Sequence, residues 1–374
     1  MFENATSYID KLIKEKKLPL LDVLVKKGHE EIYRHCGSHS GDFGKDETLC
    51  MFSCTKVFTV TAAMKLIEEG RLDLDAPVWN YIPAFKDAYT LDENGNKHPE
   101  KVTVRHLFTM SSGLDYNISR PAIVKLSRAS YESATTTDVI SALLEYPLSF
   151  TPGEKFLYSL SHDALGAVIE TVTGMNLADY MEKIIFSPLG MKNSTMRSEG
   201  YIQNPPINHE IVENGFIKAR GNSYKHFHPT KNYVSGGASL ISTVEDLSIF
   251  ADTLAAGGIT KDGYRIVKPE TIERIKEIQF GGFSVKNHYT CVQGADYGYG
   301  LGVRVRTVPD PSGIPVGEFG WDGAAGSYIL VDTDNNISIT MGLNIMAWPG
   351  VFAGEHLAIA RRIYDSLLLR EGGI

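Results

Sequence analysis

The period of the apolar residues changes twice along this chain, and that ordering constrains the fold more than any single motif. The opening stretch, MFENATSYIDKLIKEKKLPLL, reads as an amphipathic helix. LLDVLVKK (20–27) and EIYRHCG (31–37) are short β-rich runs joined by Gly28-His29-Glu30, a hairpin signal. From Ser53 to Glu69, Val57, Val60, Met64 and Ile67 share one helical stripe, and Gly70 is placed to end it. From about 75 to 275 the pattern is mostly helical, in VTVRHLFTM (102–110), TTTDVISALLEY (135–146), SHDALGAVIETVTG (161–174) and TVEDLSIFADTLAAGG (243–258). In the last of these Thr243 precedes Asp246 in a near capping-box arrangement. Beyond 290 strand patterns return in YGLGVRV (299–305), GSYILVD (326–332) and NISITMGLN (336–344), before a final helix over 354–369. Glycines crowd the stretch 281–326, which predicts tight turns and close backbone approaches there.

Consecutive strands joined by short turns predict an antiparallel sheet and an α+β fold. The expected organisation is a discontinuous α/β domain from 1–75 and 280–374, with a mainly helical domain, 76–279, inserted between its halves. A site at the seam follows as the default expectation. No repeat of 20–50 residues is evident, which argues against a solenoid or propeller.

Composition narrows the function class. A chain of 374 residues needs no disulfide or zinc staple to bury a core. The net charge of −8 comes without a basic stripe, so no nucleic-acid partner is expected. No apolar run approaches a membrane span, and the N-terminus lacks the apolar core of a signal peptide, so a cytoplasmic protein without membrane contact is expected. Cys36, Cys50, Cys54 and Cys291 form no CxxC pair, in keeping with a reducing compartment. Cys54 reads as a small buried filler. His226-Phe227-His228 and the group His35, Cys36, His39 lack a carboxylate or thiolate partner at zinc spacing, and no metal or cofactor is expected. The glycines of Gly298-Tyr299-Gly300-Leu301-Gly302 lie inside a strand pattern and do not make a dinucleotide loop. GxSxG, HExxH and GxxxxGK[ST] are all absent.

What is present is Ser53-Cys54-Thr55-Lys56. On the first turn of a helix, Ser53 and Lys56 are i,i+3 neighbours on one face. A serine hydroxyl is a weak nucleophile and needs a base within hydrogen-bond reach. A lysine supplies one if burial and nearby positive potential keep it neutral. The helix N-terminus favours negative charge developing at the serine. On the tetrapeptide alone, the favoured reading is a capping serine with a surface lysine.

Its surroundings change that reading. FSCTKVFT (52–59) joins a helix ending in EEGRLDLDAPV (68–78), and here the chain resembles the serine β-lactamase and penicillin-binding-protein superfamily, in its class C-like branch. HLFTMSSGL (106–114), TPGEKFLYSLSHDALG (151–166), FSPLGMKNSTM (186–196), GGASLISTVEDLSIF (236–250) and FGWDGAAGS (319–327) resemble that family's landmarks in order. The resemblance implies a β-lactamase/DD-peptidase-like fold, with Ser53 as acylated nucleophile, Lys56 as its base and Tyr158 as the phenol that shuttles the proton. A phenol with an ordinary pKa near ~10 acts this way only beside cations. It also implies an oxyanion hole from the backbone N–H groups of Ser53 and Ala324.

Two departures matter. Antibiotic-hydrolysing relatives carry Lys-Thr-Gly at the third motif, and this chain has Trp321-Asp322-Gly323. The expectation is a substrate pocket lined by Leu160, Trp321, Asp322 and Gly323, with Trp321 as an apolar wall and Asp322 disfavouring an anionic β-lactam. In the second motif Tyr-x-Asn becomes Tyr158-Ser159-Leu160, losing an amide that engages substrate. Both changes resemble the family VIII carboxylesterases, which implies a serine hydrolase of small carboxylic esters. The rival readings are a β-lactamase or D-amino-acid peptidase drawing cations from the Lys225–His228 segment, and a non-catalytic scaffold of the same fold. Oligomeric state is not legible.

Overall fold

The β-rich runs from both ends of the chain meet in one sheet. The computed structural model describes residues 1–197, 206–211, 217–220, 228–280, 296–346, 348 and 354–371, without the side chains of 211, 217–220 and 369–371. The sheet strands are β1 (Leu21–Lys27), β2 (Glu30–Gly37), β3 (Tyr297–Tyr299), β4 (Arg304–Arg306), β5 (Phe319–Asp322), β6 (Tyr328–Asp332) and β7 (Ile337–Gly342). They lie in the order β2-β1-β7-β6-β5-β4-β3, every neighbouring pair antiparallel. The β1–β7 pairing, Val23 opposite Met341, is the join between the two ends of the chain.

Side chains alternate across a strand, so each sheet face has its own layer. Val23, Val25, Leu330, Ile339 and Met341 form one core with α1 (Glu3–Lys16) and the C-terminal helix His356–Glu371. Leu24, Phe319, Trp321, Ile329 and Val331 face the other way, into the large core built with α2 (Thr55–Glu68), α3 (Ser161–Thr173) and α4 (Val244–Ala255). The C-terminal helix is α5. Helix α2 is buried on nearly every side, from Thr55 to Met64 without a break, rather than along one stripe. It lies between the sheet and the inserted helices, and Phe58 stacks on Phe250 of α4 with ring centroids 3.7 Å apart.

Several elements differ from expectation. Helix α4 falls within the stretch assigned to the helical insertion, yet it packs on β1, β6 and β7. Its helical period was legible; the layer it joins depends on tertiary packing. Thr243 Oγ1 accepts the Asp246 N–H at 3.2 Å, but the Asp246 carboxylate turns to the Asn193 N–H and Ser194 Oγ instead of closing a capping box. The run 299–305 is not one strand. Gly302 (φ 84°) turns the chain, and Tyr299 pairs with Arg304 across a hairpin. Among the described residues, no helix is long and apolar enough to cross a membrane. Cys291 and residues 281–295 of the glycine-rich 281–326 stretch lie outside the described residues.

Glu170 of α3 accepts the Leu177 N–H at 3.0 Å, at the start of the helix Leu177–Met181, and burial pushes its carboxyl up to about 7 from 4.5. A native carboxyl that holds its proton more tightly than the unfolded one stabilises below pH 4.5, and that contribution is lost as pH rises to about 7. Glu170→Gln keeps an acceptor without the charge. Its stability relative to wild type, followed by thermal melts, is expected to be near equal at pH 4.5 and about 1 kcal/mol higher at pH 8.

Candidate active site

The segment carrying Ser53 is held by backbone on one side and by the sheet on the other. Leu49–Cys50 pairs with Ile241–Ser242, and the Met51 N–H continues the ladder to the Leu240 carbonyl at 2.8 Å. Phe52 then takes a left-handed backbone (φ 42°), a strained conformation for an aromatic residue, and a short 3₁₀ turn over Phe52–Cys54 leads into α2. Ser53 sits on that turn and Lys56 follows on the first turn of α2.

The Lys56 side chain is fully buried. Its Nζ lies 3.2 Å from Ser53 Oγ and donates to the Gly237 carbonyl at 2.8 Å. Tyr158, just before α3, places its hydroxyl 2.6 Å from Ser53 Oγ, and its ring face lies 4.6 Å from Lys56 Nζ. Serine hydroxyl, amine and phenol thus lie in one cluster, the arrangement that acyl transfer to a serine requires. Tyr158 is stacked between Tyr116, at 5.9 Å, and Trp321, at 5.8 Å, both rings within 14° of parallel. The Trp321 indole N–H donates to the Tyr158 oxygen at 3.3 Å, and Tyr299 meets Trp321 edge-on at 5.4 Å.

Two buried titratable groups of α3 lie close by. Asp163 Oδ1 accepts from Tyr233 and Ser235, while Oδ2 faces Gly237 without a hydrogen-bond partner among the described residues. Burial raises the Asp163 carboxyl above the usual range, opposed by Ser235, Lys56 and Tyr233. His162 is pushed down to about 3, by burial first and Lys56 second, so it is a neutral ring. The Cys54 thiol is buried between Trp321 and Ser327, and burial pushes it up to about 12.

The structure brings Ser53, Lys56 and Tyr158 together, with Ala324 half-buried at the tip of a turn over 323–327. The Gly323 N–H donates to the Ser327 carbonyl and the Gly326 N–H to the Gly323 carbonyl, each at 2.8 Å. Ser327 Oγ donates to the Met51 carbonyl, which ties this turn to the Ser53 segment. The four residues expected to line a substrate pocket are instead buried. Leu160 belongs to the core at the head of α3. Trp321 is fully enclosed and backs Tyr158, so it is no wall against substrate. Asp322 points to the opposite sheet face, where its carboxylate meets Arg304 at 3.5 Å and His356 at 3.0 Å. Successive strand residues cannot share a face. At Gly323 a β-carbon would lie 2.3 Å from the Met51 carbonyl oxygen, so the glycine admits the nucleophile segment itself.

Sequence reasoning missed Tyr116, Gly237 and Asp163. Tyr116 follows the 106–114 landmark by two positions, and Gly237 lies inside the 236–250 landmark, so each had a neighbouring signal. Asp163 had none, because its role depends on α3 facing the 235–237 segment. Of the segment proposed to supply cations, 225–227 lie outside the described residues. His228 is buried against the Tyr233 carbonyl and pushed down to about 3, so it brings no charge. His35 pairs with Asp10 of α1 at 2.7 Å, away from this site.

A β-carbon on Gly237 would stand 2.8 Å from Asp163 Oδ2 and 3.0 Å from Lys56 Nζ. Gly237→Ala is therefore expected to displace the amine and slow labelling of Ser53 by a fluorophosphonate about 10²-fold, with the fold retained by circular dichroism. An unchanged labelling rate would show that Lys56 placement does not govern the serine.

The family model described as beta-lactamase matches residues 6–362. Esterase EstB of Burkholderia gladioli is 25% identical over 388 aligned positions, covering 95% of this chain and 93% of the relative. The lovastatin esterase of Penicillium rubens is 35% identical over 158 positions, 40% of this chain and 39% of that one. Among solved structures, EstCE1, a hydrolase with promiscuous acyltransferase activity, superposes with a TM-score of 0.75 at 22% identity, covering 97% of this chain and 98% of that chain, a likeness of fold. With the match running over nearly its whole length, this chain belongs to the beta-lactamase family.

Proposed function

We propose that the chain hydrolyses small carboxylic esters through an acyl-enzyme on Ser53. Ser53 Oγ attacks the ester carbonyl carbon as its proton passes to the Lys56–Tyr158 pair, forming a tetrahedral oxyanion that the N–H groups of Ser53 and Ala324 receive. The carbon–oxygen bond to the alcohol breaks, and Tyr158 returns a proton to the departing alkoxide. Water, deprotonated by the same pair, then attacks the acyl-enzyme and releases the carboxylic acid and Ser53. In the 323–327 turn, Ala324 donates to no backbone carbonyl among the described residues, which suits that role.

The observation that carries the ester reading is the indole at position 321. Where relatives acting on anionic antibiotics keep an ammonium, Trp321 supplies only a neutral N–H, directed at the Tyr158 oxygen. That N–H offers no charge to a substrate carboxylate. The electrostatic repulsion first assigned to Asp322 is not part of the argument, since its carboxylate is paired behind the sheet. Esterases among the relatives support the same substrate class. The alternative is β-lactam or D-amino-acid peptide hydrolysis by the same cluster.

Wild type and Ser53→Ala compared on p-nitrophenyl acetate and a chromogenic cephalosporin separate the two. Ester turnover is expected in wild type and a loss of roughly 10³-fold or more in Ser53→Ala, with acid-quenched wild type carrying an acetyl group on the Ser53 peptide. Ester turnover surviving in Ser53→Ala sinks the mechanism, and a cephalosporin kcat/KM above the ester value reverses the substrate assignment.

A further inference from the structure

Behind the 323–327 turn, on the sheet face away from Ser53, His356 opens α5 at 3% exposure. Its Nδ1 lies 3.0 Å from Asp322 Oδ1 and its Nε2 lies 2.9 Å from the Gly326 carbonyl oxygen. The other Asp322 oxygen faces Arg304 Nη1 at 3.5 Å, and Arg304 Nη2 donates to Glu318 at 3.1 Å and to the Ile329 carbonyl at 3.0 Å. The Tyr328 ring packs on His356 at 4.6 Å and on the Arg304 guanidinium at 4.5 Å.

Neither acceptor of His356 brings a proton. A carbonyl only accepts, and the Asp322 carboxylate is already paired with Arg304. The ring therefore makes both bonds only when each nitrogen carries a hydrogen. The two bonds of the ring grip both ends of the segment from Asp322 to Gly326, and Ala324 stands between them.

We infer that His356, held at both ring nitrogens by the two ends of the segment, is a positioning residue that braces this turn from behind and keeps the Ala324 N–H aimed at the developing oxyanion. The inference rests on the reading of Ser53 and Ala324 as oxyanion donors. His356 touches no reacting atom and acts through the turn alone. Donors of this kind stabilise the tetrahedral state more than bound substrate, so loosening the turn acts on kcat rather than KM.

The test uses the full chain carrying His356→Gln or His356→Ala, with active sites counted by fluorophosphonate titration. On p-nitrophenyl acetate, kcat per titrated site is expected to fall about 10–100-fold in His356→Ala with KM within about threefold, His356→Gln recovering part of the loss through its one remaining donor. Affinity for a boronic acid, which forms a tetrahedral anion on the serine, should fall with kcat. A melting temperature lowered with kcat per titrated site unchanged would overturn the brace and leave a structural role. If both variants fail to fold, ¹⁵N spectra of wild type at neutral pH decide, with the His356 ring assigned through its contact with Tyr328. Two protonated nitrogens are expected, and one bare nitrogen overturns the inference. Wild type inert on the ester would sink the ester reading itself, whereas active wild type with fully active His356 variants sinks only the brace.

Discussion

Everything at the site hangs on one buried amine. An ammonium or amine taken out of water is costly unless its polarity is answered. Lys56 Nζ finds its partners in the Gly237 carbonyl, the Ser53 hydroxyl and the face of Tyr158. Each partner belongs to a different part of the chain, so the amine is satisfied only when α2, the 236–242 segment and the start of α3 have all docked. The glycines at 236 and 237 make that docking possible. A β-carbon on Gly236 would lie 2.2 Å from the His162 carbonyl oxygen, and one on Gly237 would fall between Lys56 and Asp163.

Strand β5 divides the labour across the sheet. On one face Trp321 supports Tyr158 with its ring and its N–H. On the other, Asp322 belongs to an ion-paired cluster with Arg304, Glu318 and His356. The Trp-Asp pair, standing where the resemblance would put Lys-Thr, therefore meets two environments at once, Tyr158 in front and Arg304 with His356 behind. Reading both residues into one pocket counts the same change twice.

Much of this was legible in the sequence because periodicity is local. The runs at 20–37 and 326–344 alternate as strands must, and the helices at 161–174 and 354–369 carry their own apolar period and stops. Ser53 and Lys56 were legible as a pair by type and spacing, and Tyr158 only through the resemblance of the 151–166 segment. The hairpin at 299–305 was not, because Leu301, Val303 and Val305 continue a strand-like alternation straight through a turn made by Gly300 and Gly302. Which layer α4 joins, and what Asp163 faces, depend on contacts between residues distant in sequence. The error over Trp321 and Asp322 is different in kind. Strand parity alone forbids both from facing one pocket, and only the choice of face needed the pairing of Trp321 with Ile329.

Helices α1 and α5 lie together on the sheet face opposite Ser53, sharing a core with Leu330 and Ile339. The sheet thus stands as a partition between the chain's two outermost helices and Ser53. A tether, fusion partner or solid support attached through either helix would sit behind that partition, on the face away from Ser53. Helix α5 nevertheless reaches the 323–327 turn from the rear, through the contact of its first residue, His356, with the Gly326 carbonyl.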